Sequence, residues 1–514
     1  MGAREWYLSS TERGNPATRL DKRHPDGSAW TEGNLVTHLV HGAIYFAELY
    51  ERIRGMRRGD LLMFVDWRGD PDQQLTDDPE SAVGAVLCHA AERGVDVRGL
   101  IWRSHLDKFA FSAAENRHLG AEINAAGGEC HLDMRVRPGG SHHQKFVVLR
   151  HPGRPERDVA FVGGIDLCHS RRDTGAHEGD AQAVTFAKVY GPRPPWHDIQ
   201  LMIQGPAVAD VETVFRERWE DPHALSHSPI RRVGDRLRKA EATTVSPLPE
   251  PLADPAPAGA HPVQLLRTYP KRAPGFPFAP RGERSVARGY RKAVGHARRL
   301  IYIEDQYLWS RELAKIFARA LRDNPGLRLI AVLPHHPDQD GPLITAPYLL
   351  GRQQSMTLLR AAAPDRVAFY GVENHQGVPV YVHAKACVID DAWASVGSDN
   401  FNLRSWTHDS ELSAAVCHED FARNLRLTLA REHLDLSDDD ELEIDDAFAE
   451  FARSAATLDA WHRDGCREPR PPGRLRPIRD QPISGLTRAW ATPVYRVIFD
   501  PDGRPLSMKI RRTF

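Results

Sequence analysis

The chain has 514 residues, 41% of them apolar and 27% charged, which suits a globular protein with two sizeable cores. Lys+Arg 68 against Asp+Glu 69 leaves a net charge of −1, so a polyanionic partner is disfavoured and no nucleic acid is expected. The six cysteines show no ligand or disulfide spacing; reduced thiols, no metal and no cofactor are expected.

In chain order, a helical pattern covers 35–55 and a strand follows at 61–67. A helix at 79–93, a strand at 97–102, a helix at 116–126 and a strand at 130–134 continue the alternation. A helix at 207–219 closes this half. The second half repeats the order: helix 285–298, strand 300–305, helix 312–322, strand 327–333, helix 353–362, strand 366–370 and a closing helix at 419–434. This predicts an α/β protein of two similar α/β/α lobes with mixed, largely parallel sheets, related by a pseudo-twofold. The expected boundaries are a first lobe at 1–230, a Pro/Ala-rich linker at 231–262, a second lobe at 263–435 and a tail at 436–514. The tail reads as an acidic run, a helix at 447–461 and a small hairpin at 494–503. The segment Met1–Trp6 lacks an apolar leader, and no stretch approaches the roughly 20 residues of a membrane span. A cytoplasmic protein with at most peripheral membrane contact is expected.

Two short segments carry the chemistry. His142-His143-Gln144-Lys145 is followed by Phe161-Val162-Gly163-Gly164-Ile165-Asp166, and His383-Ala384-Lys385 by Ser395-Val396-Gly397-Ser398-Asp399-Asn400. A lone His-x-Lys is weak, but here the spacing repeats once a longer turn near 150–158 is allowed for. On an extended chain, residues i and i+2 share a face, so His143 projects with Lys145 and His383 with Lys385, while His142 faces away. An ammonium can hold a phosphate, and an imidazole can attack it or protonate what leaves. Each imidazole needs a carboxylate to fix its tautomer. Asp198 and Glu411 occupy equivalent places in the next strand of each copy, and the in-lobe assignment gives Asp198 to His143 and Glu411 to His383. Trp67, Tyr307, Trp309 and Trp406 could line a crevice or fill core; His151, His335, His336 and His433 read as surface or loop residues.

These residues resemble the phospholipase D superfamily, whose members carry two HxKxxxxD motifs meeting at one active site. The second motif is complete through Asp390, with Gly397-Ser398-x-Asn400 behind it. Gly163–Cys168, Tyr302–Tyr307, Arg404-Ser405 and Asp409–Glu411 resemble the eukaryotic-type phospholipases. The resemblance implies an active site at the lobe interface and a two-step reaction, with His143 as nucleophile, His383 as general acid and then base, and Lys145 and Lys385 on the phosphate. It further implies substrate contacts from Gly164, Asp166, Ser398 and Asn400, and a turn-stabilising role for Asp390. One departure is Arg150 where the first motif should carry aspartate, with Asp158 as a possible substitute. The expected partner is a glycerophospholipid at a membrane surface, and the expected state a monomer. Rival readings are a cardiolipin-synthase-like transferase, a nuclease of the same superfamily, and a degenerate lipid-binding module.

Overall fold

The computed structural model describes residues 2–24, 26–103, 113–225, 245–481 and 483–514; positions 231–244 of the expected linker lie outside them. The strands of the first half are β1 (Thr31–Val40), β2 (Leu61–Asp66), β3 (Asp96–Trp102), β4 (Glu129–Asp133), β5 (Phe146–Arg150), β6 (Val159–Gly163), β7 (Trp196–His197) and β8 (Ile199–Gln204). Those of the second are β9 (His261–Tyr269), β10 (Glu283–Arg284), β11 (Leu300–Asp305), β12 (Arg328–Val332), β13 (Val367–Glu373), β14 (Pro379–Val382), β15 (Lys385–Ile389), β16 (Trp393–Gly397), β17 (Glu411–Val416) and β18 (Leu475–Pro477).

Each lobe is built the same way. In the first, β4, β3 and β2 are parallel, and β5, β6, β8 and β1 continue the sheet antiparallel. In the second, β13, β12 and β11 are parallel, followed antiparallel by β15, β16, β17 and β9. The mixture has a covalent cause. Helical crossovers return the chain parallel, whereas the short β5–β6 and β15–β16 turns can only reverse it. β1 pairs antiparallel with β9, so the two sheets join into one open sheet across the lobe boundary.

Neither joining strand was expected. The helical pattern over 35–55 holds strand β1 and then the helix Gly42–Arg54, because Val36 and Leu39 happen to continue the helix's three-residue spacing. Helices Ala207–Trp219 and Glu419–Leu434 lie where the sequence placed them and share one core with both sheets, including Val36, Val263, Phe215 and Leu425. A second cluster fills the outer face of each lobe. The visible end of the linker lies along the first lobe: Ser246 accepts from Trp219 Nε1 and donates to Glu129, and Arg150 reaches the Ala253 carbonyl.

The tail differs from expectation. Residues 494–503 form no hairpin; helix Gly485–Val494 runs into one π-helical turn, Tyr495–Phe499. Tyr495 is the buried residue of that turn, donating to the Trp309 carbonyl and to Asp500, while Val497 and Ile498 stay exposed. This is helical and not alternating burial.

Arg150 is fully buried and pairs with Asp158 at 2.9 Å and with Glu212. Asp158 also accepts the backbone N–H of His151, so it braces the turn after β5. In the second lobe Asp390 performs the related task, accepting the N–H groups of Arg298, Arg299 and Leu300. Arg150→Met leaves the buried Asp158 without its guanidinium partner, while Glu212 keeps Arg216, and should cost about 3–5 kcal/mol. The denaturant midpoint should fall accordingly while the folded fraction keeps its specific activity; an unchanged midpoint would remove the structural role.

Candidate active site at the lobe junction

The two His-x-Lys segments lead into β5 and β15, and each is clamped by backbone from the other lobe. His143 N–H donates to Ser410 O at 2.9 Å, and Ser410 N–H donates to Ser141 O at 3.0 Å. The counterpart is His383 N–H on His197 O at 2.8 Å, continued by the parallel pairing of β7 with β14. Arg218, from the closing helix of the first lobe, pairs with Asp133 and donates to Ser410 Oγ, fixing that segment from below.

The clamp decides which carboxylate each imidazole meets. Ser410 precedes Glu411, and His197 precedes Asp198. His143 Nδ1 therefore lies 2.9 Å from Glu411 Oε2, and His383 Nδ1 lies 2.6 Å from Asp198 Oδ2. The in-lobe assignment is thus corrected: the pairs are crossed, and each half of the site takes its orienting carboxylate from the opposite lobe. With Nδ1 engaged, Nε2 of each ring is left to act.

Lys145 Nζ is 3.6 Å from Asp166, and Lys385 Nζ donates to Gln306 at 3.3 Å; each also donates to the carbonyl of its own motif histidine. Burial above all, then the charges of Lys145 and Lys385 together, hold His143 well below the usual imidazole range. His383 is lowered by burial, then by Lys385, Arg171 and Lys145. Lysines of both lobes act on both rings, as the crossed histidine–carboxylate pairs joining the two motifs require. Desolvation pushes Lys385 down to about 8. Burial, then Asp409, pushes Glu411 up to about 8. Every one of these shifts removes charge from a buried site, and an entering phosphate anion would reverse those on the cations.

The remaining expected residues fall into two kinds. Ser398 Oγ donates to Glu411 at 2.5 Å, so it serves the carboxylate. Asp166 accepts the N–H groups of Trp67 and Arg68 and faces Lys145; a buried carboxylate there orients the ammonium and would repel a phosphate. Gly164 makes room, since a Cβ would lie 2.2 Å from Asp198 Oδ1. Asn400 is buried with its side-chain Oδ1 unpartnered, and its amide Nδ2 is the atom able to donate to a phosphate oxygen. His142 is buried and contacts Gln144, clear of the pocket. Trp67 stands edge-on to His143, whereas Trp406 is core.

Sequence reasoning missed Trp196, whose ring lies 4.8 Å from that of His383, and Arg171, stacked 3.9 Å over Trp196. The nearness of Trp196 to Asp198 in the chain was the one available signal. His433, read as a surface or loop residue, is buried within helix Glu419–Leu434, and His151, in the loop after β5, is buried too.

Comparison with known proteins agrees with this architecture. A family model described as phospholipase D matches residues 60–314, and one described as cardiolipin synthase, PLD-like domain, matches 290–432. Phospholipase D alpha 1 of Cynara cardunculus is 24% identical over 72% of this chain and 60% of its own length. Phospholipase D beta 2 of Arabidopsis thaliana is 27% identical over 84% of this chain and 61% of its own. The chain thus spans about three fifths of these relatives. The crystal structure of phosphatidylserine synthase from Haemophilus influenzae Rd KW20 has a similar fold, with a TM-score of 0.53 at 13% identity, covering 82% of this chain and 93% of that one.

Proposed function

This chain belongs to the phospholipase D superfamily, and from that premise we propose that it is a phospholipase D-type phosphodiesterase acting on glycerophospholipids. The observation that carries the reading is the crossed pair, two imidazoles fixed by carboxylates of opposite lobes with two ammonium groups beside them. His143 Nε2 attacks phosphorus as the bond to the head-group oxygen breaks, and His383, charged once the phosphate anion has entered, protonates that oxygen. Neutral His383 then takes a proton from water, the water oxygen displaces His143 from phosphorus, and phosphatidic acid leaves. Lys145, Lys385 and Asn400 offset the charge on the non-bridging oxygens, a contribution typically worth about 10²–10³ in rate per donor. An alcohol in place of water gives a transferred phosphatidyl group.

The substrate requires contact with a lipid surface. Among the described residues no helix is long and apolar enough to cross a membrane. Val497 and Ile498 are 72% and 60% exposed, with Arg488, Arg496 and Lys509 exposed nearby, a combination suited to an anionic bilayer surface. Their turn is tied to the site's rim, because Arg404 donates to the Ile498 carbonyl and pairs with Asp409.

A transferase of the cardiolipin-synthase kind is the second reading, favoured by the family match over 290–432. Incubation with phosphatidylcholine or phosphatidylethanolamine vesicles should yield phosphatidic acid and free head group, and phosphatidylethanol when ethanol is added. Phosphatidylglycerol converted to diphosphatidylglycerol and glycerol, with choline and ethanolamine lipids untouched, would favour the transferase. Degradation of oligonucleotides with no lipid turnover would overturn both.

A further inference from the structure

Behind the second motif, six side chains from five stretches of the chain close on one another: His41, His177, His197, Glu304, Glu432 and His433. The four histidines and Glu304 are buried, Glu432 nearly so, and the proposed reaction uses none of them.

Three of the imidazoles converge on one carboxylate. His41 Nε2 lies 2.5 Å from Glu432 Oε2, while His177 Nε2 and His197 Nδ1 lie 3.0 and 3.2 Å from Oε1. The outer nitrogens of two rings are already committed. His177 Nδ1 is 3.1 Å from the Trp196 carbonyl, which can only accept, so that nitrogen carries the proton. His197 Nε2 donates to Glu304, a carboxylate also engaged by His433 and by the Tyr302 hydroxyl. A neutral ring protonated on its outer nitrogen turns an inner lone pair toward the group it faces. Here two such lone pairs face a single carboxylate oxygen, Glu432 Oε1, which is repulsive unless positive charge lies between them. His197 Nδ1 itself is buried without a hydrogen bond while aimed at Glu432. Protons could supply the charge only by crowding imidazolium rings whose centroids are 4.7, 4.8 and 5.6 Å apart. One divalent ion satisfies all four donors at once.

We propose that His41, His177, His197 and Glu432 form a structural binding site for a divalent transition-metal ion of the zinc class. Three imidazole nitrogens and one carboxylate suit such an ion, whereas Ca²⁺ and Mg²⁺ prefer oxygen ligands throughout. The contacts from His177 to a carbonyl and from His197 to Glu304 are those that orient ligating imidazoles and fix their tautomers. The ion would brace the peptide on which the second motif hangs, since the His197 carbonyl accepts from His383 and Ala384 and Asp198 is the next residue.

The test uses the full chain, purified without a histidine tag, and reads metal content and unfolding temperature independently of lipid turnover. Elemental analysis should find about one Zn²⁺ per chain. Chelation should lower Tm, Zn²⁺ should restore it and Ca²⁺ should not. Co²⁺ added to the stripped protein should give the visible bands of a four-coordinate nitrogen–oxygen site. Glu432→Gln should lose the ion and His335→Ala should keep it. If Glu432→Gln does not fold, the wild-type Co²⁺ spectrum and the Tm difference between stripped and reloaded protein carry the test. Protein from zinc-supplemented cells with no stoichiometric metal, and a Tm indifferent to Zn²⁺, Co²⁺, Mn²⁺ and Fe²⁺, would overturn the proposal and leave a cluster held by protons.

Discussion

His143→Asn should abolish the covalent intermediate, whereas His383→Asn should accumulate it when the leaving group is activated. The asymmetry follows from what each ring does in the proposed reaction. Without His143 there is no nucleophile, and turnover of any phosphatidyl ester should fall by about 10⁴ or more. Without His383 a natural head group leaves slowly, because its alkoxide is not protonated. A phosphatidyl-p-nitrophenol substrate needs no such proton, so His383→Asn should release one equivalent of p-nitrophenol and then stall for want of a base to activate water. Rapid-mixing absorbance gives the burst, and mass spectrometry of peptides should place the phosphoryl adduct on His143. A burst from His143→Asn with an adduct on His383 would reverse the two roles; equal lipid turnover by wild type and His143→Asn would remove the mechanism.

What the sequence displayed and what it hid divide along a physical line. Local periodicity placed Leu300–Asp305, Ala207–Trp219 and Glu419–Leu434 to the residue, because each carries an apolar face of strong and unbroken spacing. The His-x-Lys duplication was legible for the same reason, being local order repeated. The strands β1 and β9 escaped because pairing with β8 and β17, far off in the chain, and no local pattern, makes them strands. The buried histidine cluster escaped because its six members come from five stretches of chain, and ligand spacing cannot be read where folding alone brings residues together. The crossed carboxylates belong to this class. Chain proximity suggested in-lobe pairs, while the clamp at Ser410 and His197 sets the real ones.

That crossing can be read out kinetically. Asp198→Asn should behave like loss of His383, and Glu411→Gln like loss of His143. In each case the amide can hold the ring in the wrong tautomer, which in a comparable histidine–carboxylate pair costs up to about 10⁴ in rate. With the activated ester, Asp198→Asn should keep the p-nitrophenol burst and lose the steady-state rate, since only its acid–base histidine is disturbed. Glu411→Gln should lose the burst itself, because the ring left unoriented is the nucleophile. In-lobe pairing demands the opposite assignment, with Asp198→Asn suppressing the burst. Ser398→Ala offers a graded version: it removes the hydroxyl that donates to Glu411 at 2.5 Å and should slow the burst without touching the second step. A slowed second step with an intact burst would place Ser398, and with it Glu411, on the other histidine.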